Sequence, residues 1–363
     1  MNFFIASSRH VWRTRFLPCA RRSNGTGTAP LVTVPKLTGC AIAMRQSSLF
    51  ETLGVALPVE EIGPVYDFFA GAGGFSEGAR QAGCRVAWVC DNDTQALHTH
   101  AVNHPDTEHA HMQLPLRRCD WPFPTDGSKF HVHLSPPCQL FSKANERKVS
   151  ELDREPGLKL VRWSLKLALT CDASTWSLEQ VPAPEVVAVV EEAKKRYPKR
   201  VAYVCMDFVE LGLPQHRKRL IAGSPHLIAK LQRAARSATH QSIRSAIAKP
   251  RGTHLKGGAG TMSTRRCGAD GRRQLDKAGW ADRCRSIDCA SFTVLANRGL
   301  NWITRTAEGS VEASRPRLVA HEYASLQSFP PTYKWPATET VAMRQIGNSV
   351  PPLVAKLLLG PEK

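Results

Sequence analysis

The thiol of Cys138 is the group in this chain best placed for covalent chemistry. It sits in Ser135-Pro136-Pro137-Cys138-Gln139-Leu140-Phe141-Ser142, directly after Phe130-His131-Val132-His133-Leu134, whose apolar residues alternate as in a half-buried strand. Two prolines stop that strand and stiffen the turn, because each fixes φ and removes a backbone donor. The thiol is thereby expected on a rigid loop at the carboxyl end of a strand, the edge at which open α/β sheets bind ligands. Most single cysteines are small buried hydrophobes, so the assignment depends on what converges on this one. Glu179 follows a second strand-like run, Ser174 to Leu178, and would aim a carboxyl at the same crevice; the alternative is a surface glutamate in a turn. Gln215-His216-Arg217-Lys218-Arg219 leads into a third run, Leu220 to Ala222. Thiol, carboxyl and guanidinium are the parts needed for nucleophilic attack with proton transfer and charge stabilisation.

The elements that would hold these groups alternate between strand and helix. Pro64 to Phe69 reads as a short strand opening into Ala70-Gly71-Ala72-Gly73-Gly74-Phe75-Ser76-Glu77-Gly78, with a helix over Ser76–Ala82 and a stop at Gly83. Glycines between strand and helix permit a tight turn and close approach of a ligand to the backbone. A strand over Arg85–Cys90 ends at Asp91, about twenty residues past the glycines, where a carboxylate can grip the two hydroxyls of a nucleoside ribose. No Gly-Lys-Ser/Thr follows, which argues against a phosphate-gripping loop. A helix with Leu158, Val161, Leu165 and Leu169 on one face follows a charged loop, Lys143 to Glu155. Glu185 to Arg196 carries acids first and bases last, as a helix dipole favours, and Arg200–Val204 reads as another strand. The fold class expected is α/β, a doubly wound, mostly parallel sheet.

With 363 residues there is room for one large domain and a smaller one. The net charge of +18 points to a polyanionic partner. No run reaches the length of a membrane span. Eleven cysteines without a paired motif suit free thiols in a reducing compartment. His98, His100, His104, His109 and His111 lack acid or cysteine partners at ligand spacing, so a polar helix face followed by a loop is expected and no metal site is assigned. The first fifty residues hold no acid and several arginines. That composition suits an organellar transit peptide, a disordered basic tail, or an upstream start with initiation at Met44. From Leu211 to Ala269 there is again no acid, while about a dozen Lys and Arg appear, as phosphate contact would require.

The ordered motifs resemble those of the cytosine-5 DNA methyltransferase family. They run Phe69-Ala-Gly-Ala-Gly-Gly-Phe75, Pro136-Pro-Cys-Gln139, Glu179-Gln-Val181 and Gln215-His-Arg-Lys-Arg219. Then come Arg317-Leu318 with Glu322, Leu326-Gln-Ser-Phe-Pro330, and Gln345-Ile-Gly-Asn-Ser-Val-Pro351. The resemblance spans Val65 to about Leu359. It departs at Ser135, where the family usually has Gly, at Gln180 for Asn, and at Asp91 for a Glu one methylene longer. The family's Gly-Asp-Ile, which touches adenine, has no recognisable counterpart between His111 and Asp120.

The resemblance implies transfer of a methyl group from S-adenosylmethionine to C5 of a cytosine flipped out of double-stranded DNA. Cys138 would attack C6, Glu179 would hydrogen-bond N3 and the exocyclic amine, Arg219 with Arg217 would hold the base carbonyl, and Gln215 would organise the site. Phe69, Gly71, Gly73, Phe75 and Asp91 would bind the cofactor, with Asn348 and Ser349 closing its pocket. Four segments are expected: a basic extension over 1–60, a catalytic domain over 61–224, a target-recognition region over 225–310, and a segment over 311–363 completing the catalytic domain. A monomer is expected, in a reducing compartment that contains DNA. The same chemistry on transfer RNA is the alternative, although that branch's Cys-Phe-Thr signature is absent and Cys289-Ala-Ser-Phe-Thr is only a loose echo. A catalytically inactive nucleic-acid-binding homologue is the third reading.

Overall fold

The computed structural model describes residues 62–141, 151–257, 284–296, 299–305 and 311–362. The basic extension over 1–60, Cys267 and most of the charged loop beginning at Lys143 lie outside them. At the loop's far end, residues 151–155 are already helical.

Asp67 alone interrupts the apolar run of β1 (Val65–Phe68), and all four of its residues are buried. A strand covered on both faces belongs in a parallel sheet sandwiched between helices. β1 lies between β2 (Val86–Asp91) and β4 (His131–Leu134), parallel to both, and β3 (Glu108–His111) extends the sheet beyond β2. On the other side β5 (Thr175–Gln180) runs parallel to β4, and β7 (Lys218–Gly223) alone runs against the rest, antiparallel to both β5 and the edge strand β6 (Ala202–Asp207), giving the order β3-β2-β1-β4-β5-β7-β6. The winding direction reverses between β1 and β4, so a crevice opens past their carboxyl ends.

Helices cover both faces. α1 (Gly74–Gln81) lies on one face, and α2 (Thr94–Asn103), N-capped by the Asp93 carboxylate, packs on β2 and β3. α3 (Glu151–Thr170) and α4 (Pro184–Arg196) cover the other face, where Val161, Leu165, Val186 and Val190 meet Phe68, Leu134 and Leu178. α5 (Pro225–Ser237) joins α1's face, burying Leu227, Ile228 and Leu231.

Past α5 come α6 (Ile243–Ala246) and a second, antiparallel sheet. Its strands β8 (His254–Gly257), β9 (Cys284–Ser286), β10 (Leu300–Arg305) and β11 (Val311–Arg317) lie in the order β11-β10-β8-β9. Leu255 and Trp302 of this sheet share a core with α7 (Ala320–Leu326) and α8 (Glu339–Asn348), through Tyr323, Leu326 and Ile346. α9 (Pro352–Leu359) returns to the large sheet and crosses α1 so closely that a Cβ on Gly78 would stand 2.1 Å from Pro352 O.

Two segment limits read from composition therefore fall inside structural units. The acid-free region from 225 opens with α5, which packs on β6, β7 and α9. The segment from 311 opens with β11, the partner of β10. Charge counts surface composition and is blind to the apolar face that decides which sheet a helix joins. The histidine segment also differs from the polar face expected of it. His100 and His104 are buried, and His109 lies on edge strand β3 with its Nε2 2.8 Å from His100 Nδ1. Among the described residues no helix is long and apolar enough to cross a membrane.

Candidate active site

Three chain turns converge on the crevice at the β1–β4 switch. The first, between β1 and α1, places Phe69 at φ 62° and Gly71 at φ 54°, both left-handed, and a non-glycine residue held there carries strain that surrounding contacts must offset. Gly71 N donates to Asp91 Oδ2 at 2.8 Å and Asp93 N to Asp91 Oδ1 at 2.9 Å. Each carboxylate oxygen keeps a second lone pair for a ligand. Burial raises the Asp91 pKa, opposed by those backbone bonds. Phe75 stacks on His133 with ring centroids 3.4 Å apart, which fixes its ring beside the crevice. Gly73 does not line the pocket. At φ 93° it turns the chain into α1, and a Cβ there would meet Tyr333 Oη at 2.7 Å and His100 at 2.8 Å.

The second turn carries Cys138, half-buried after β4. Two side chains at the positions of family departure tie it down. Ser135 Oγ donates to Phe69 O at 3.2 Å, joining this loop to the glycine turn. Gln180, fully buried, donates from Nε2 to Pro136 O at 2.8 Å and accepts from Val181 N at 2.8 Å. The thiol's loop is thus hydrogen-bonded to the strand that presents Glu179. Glu179 belongs to β5 itself and is only 6% exposed, which removes the surface-turn alternative. Arg219 reaches it from β7, with Nε 2.9 Å from Glu179 Oε1. The two form an ion pair by proximity, but the N–H is not aligned for a hydrogen bond, so both atoms retain hydrogen-bonding capacity. Arg219 Nη1 donates to Lys218 O at 2.7 Å.

Arg217 is differently placed from Arg219. It is buried, and its Nη atoms donate to Val294 O at 3.3 Å, Gly347 O at 3.2 Å and Ser349 O at 3.0 Å. Burial brings its pKa down to about 9, with Arg219 adding to the fall while Glu179 and Cys138 oppose it. Arg217 braces three backbone segments, and neither it nor Arg219 lines the pocket. Gln215 is equally engaged: Nε2 donates to Leu326 O and Gln327 Oε1, each at 2.8 Å, and Oε1 accepts from Val294 N at 2.9 Å. Ser291 to Val294 in this way docks alongside Pro214–Arg217, as His216 N donating to Ser291 O at 2.9 Å also shows.

The third turn follows α8. Asn348 and Ser349 line the same pocket as Phe69, Gly71, Phe75 and Asp91, and that pocket runs on to Cys138 and Glu179. It also takes in Met112, Gln113 and Leu114 after β3, and Arg344 and Gln345 on α8, which sequence motifs did not single out as site residues. The only signal for the first three was their place at a strand's carboxyl end, hidden by reading the preceding histidines as helix and loop. Asn92 Nδ2 donates to Gln113 Oε1 at 3.2 Å, setting that side chain beside Asp91. A carboxylate at the end of β2, a left-handed turn whose backbone is open to a ligand, and apolar walls from Phe75 and Met112 suit a nucleoside cofactor. Among the described residues no group of three His, Cys, Asp or Glu is placed to hold a metal ion.

Comparison with known proteins agrees with this arrangement. Among curated proteins, the chain is similar to the Type II methyltransferase M.AgeI of Thalassovita gelatinovora, 23% identical, over 80% of this chain and 97% of that one. It is similar also to the Type II methyltransferase M.AplI of Arthrospira platensis, 26% identical over 81% and 84%. Among solved structures, the fold matches an E. coli prophage protein described as a DNA modification methyltransferase, with a TM-score of 0.55 and 19% identity, covering 82% of this chain and 97% of that one. It matches the S. pombe Dnmt2 methyltransferase at 0.54 and 16% identity, over 81% and 96%. The profile of C-5 cytosine-specific DNA methylases matches residues 64–163 and 195–360, which contain the glycine turn, Cys138 and the two arginines of β7's approach. The chain belongs to the C-5 cytosine-specific DNA methylase family.

Proposed function

We propose that this protein transfers a methyl group to C5 of cytosine in double-stranded DNA through a covalent bond from Cys138 to C6. The observation that carries the reading is one continuous pocket lined by a nucleoside-type acid, Asp91, and by Cys138 and Glu179, with Arg219 in contact behind Glu179. Bound S-adenosylmethionine would supply the electrophilic methyl group. Asp91 would hold its ribose hydroxyls, Phe69, Phe75 and Met112 would pack on it, Gln113 would face the adenine edge, and Asn348 and Ser349 would close the wall.

Cytosine C5 is a poor nucleophile until C6 is attacked. The Cys138 thiolate adds to C6, and the C5–C6 π electrons move into the ring as Glu179 hydrogen-bonds N3 and the exocyclic amine. Arg219, already beside Glu179, is placed to hold the base carbonyl and offset the charge that develops there. C5 then takes the methyl group, loses its proton to a base, and the C6–Sγ bond breaks to regenerate the thiolate. A cytosine within the duplex is out of reach of Sγ, so the base must leave the stack. The second sheet, β8 to β11, supplies the surface that reads the flanking bases. All of these residues come from one chain, which acts as a monomer.

The similarity to Type II methyltransferases favours DNA over transfer RNA. Incubation with methyl-labelled S-adenosylmethionine and either genomic DNA or bulk transfer RNA separates the two. Label in DNA, mapped to cytosine by bisulfite sequencing, is expected; label only in RNA overturns the substrate, and label in neither overturns the activity.

A further inference from the structure

Ser135 opens the loop that carries Cys138, and it grips the end of β1 twice. Its backbone N donates to Phe68 O at 3.2 Å, prolonging the parallel pairing of β1 with β4 by one bond. Its Oγ donates to the next carbonyl, Phe69 O, also at 3.2 Å. Any residue but proline makes the first bond, whereas the second needs a side chain with a donor. Phe69 O and Ala70 N belong to one peptide unit, and Ala70 N donates to Cys90 O on β2 at 3.0 Å. That peptide plane is therefore held from both sides, by β2 through its N–H and by the thiol's loop through its carbonyl. It follows the left-handed Phe69, at φ 62°, and leads into Gly71, whose N is bound to Asp91. A non-glycine residue stays at positive φ only where its contacts over-determine it, and Ser135 Oγ supplies one. Only Pro136 and Pro137 stand between Ser135 and the thiol. Their rings fix φ, and Pro136 O accepts from buried Gln180 at 2.8 Å. The path from Phe69 to Cys138 is short and stiff, and Phe69, Ala70, Gly71, Ser135 and Cys138 all line the one pocket.

We propose that Ser135 is a positioning residue that couples cofactor binding to the placement of the Cys138 thiol. This rests on the reading that the pocket takes S-adenosylmethionine. A cofactor packed on Phe69 and the Ala70–Gly71 backbone orders the peptide between Phe69 and Ala70, and the Ser135 hydroxyl passes that order to the proline-stiffened loop. Coupling between two sites is reciprocal, so a thiol held in place also favours the bound cofactor. With glycine or alanine at 135 the backbone bond to Phe68 O remains and this connection is gone.

The test is the rate at which iodoacetamide alkylates Cys138 in the full chain, read by mass spectrometry of the Cys138 peptide. It is measured with and without saturating S-adenosylhomocysteine, whose binding calorimetry checks. In wild type the ligand shields the thiol and, through Ser135, fixes its loop. In Ser135→Ala only the shielding remains, so protection should be about two- to tenfold weaker, the range for one neutral hydrogen bond. Ser135→Gly, the residue usual in the family, should behave alike and serves if alanine does not fold. Ser135→Thr keeps the hydroxyl and should restore protection. A loop that is merely displaced changes the rate equally with and without ligand, and so leaves protection where it was. Protection unchanged by loss of the hydroxyl, or lost in the threonine variant as well, overturns the proposal while leaving the cofactor reading intact. So does a folded Ser135→Ala that no longer binds the ligand, since Ser135 would then be a cofactor contact. Wild type that does not bind S-adenosylhomocysteine overturns the cofactor reading and this proposal with it.

Discussion

Glu179 lies with Cys138 in the pocket wall and in contact with Arg219, with which it shares no hydrogen bond. In the proposed reaction Glu179 serves the chemical step more than affinity. Glu179→Gln keeps the shape and cannot carry a proton. Single-turnover methyl transfer should slow on the order of 10² to 10⁴-fold, with DNA affinity changed far less; an unchanged rate would make Glu179 structural. Cys138, Glu179 and Asp91 were legible in sequence because each follows a strand-like run, and a strand's carboxyl end fixes where its next side chain goes. Arg217 was not legible in this way. Its three acceptors lie 77, 130 and 132 residues further along, and no local pattern shows that a guanidinium will be consumed by carbonyls so distant. In sequence Ser135 and Gln180 stand out only as departures from the family's motifs, whereas in the fold each bonds the thiol's loop to a neighbour.

At the scale of the element, β1 and β4 bring buried polar groups beneath α1. Asp67 is fully buried, accepts from Ser76 Oγ at 2.7 Å, and sits opposite His133 in the sheet register. Burial pushes its carboxyl from 3.8 up to about 7, against the pull of the Ser76 bond, with Asp91 adding to the rise. A carboxyl whose pKa rises on folding contributes stability that is complete below its unfolded pKa and is lost as pH climbs through the folded value. The window here runs from 3.8 to about 7. Asp67→Asn still accepts from Ser76 and cannot ionise. Across that window wild type should lose up to on the order of 4 kcal/mol relative to the variant. Denaturant unfolding of both proteins at about pH 5 and about pH 8 measures the part of that loss above pH 5, on the order of 3 kcal/mol, and a difference independent of pH would remove the assignment. His131, brought down to about 3 by burial, and His133, which burial also holds well below 6.5, act in the opposite sense, losing stability as pH falls below 6.5, but they are common to both proteins and cancel. The strands of this sheet were readable as apolar runs. β3 was not, because Glu108-His109-Ala110-His111 has the composition of a loop and becomes a strand by pairing with β2.

Over the whole molecule, the two sheets are joined through the C-terminal helices and the Gln215–Arg217 segment. Glu322, buried on α7, receives Arg251 Nε at 3.0 Å and Nη2 at 2.6 Å together with Trp302 Nε1 at 3.2 Å, which pins the small sheet to the C-terminal helices. Ser291 to Val294 then lies against the Gln215–Arg217 segment. Charge marked a basic region in the sequence, but the limits of the structural units there are set by apolar faces that charge does not report. Exchanging residues 243–317 for the matching segment of a relative with another target should move the methylated sequence to the relative's, at about 1–3 kcal/mol for each base contact exchanged. Mapped sites that kept the original pattern would place the reader elsewhere. The central claim is a bond from Cys138 to cytosine C6, and trapping tests it most directly. Duplex DNA carrying 5-fluorocytosine is incubated with S-adenosylmethionine and resolved under denaturing conditions, since fluorine cannot leave C5 as a proton does and the C6–Sγ bond then persists. Wild type should carry the DNA as a denaturant-stable adduct and Cys138→Ala should carry none while still binding the cofactor; an adduct of equal yield in the alanine variant, or none in a wild type that methylates ordinary DNA, would contradict the account.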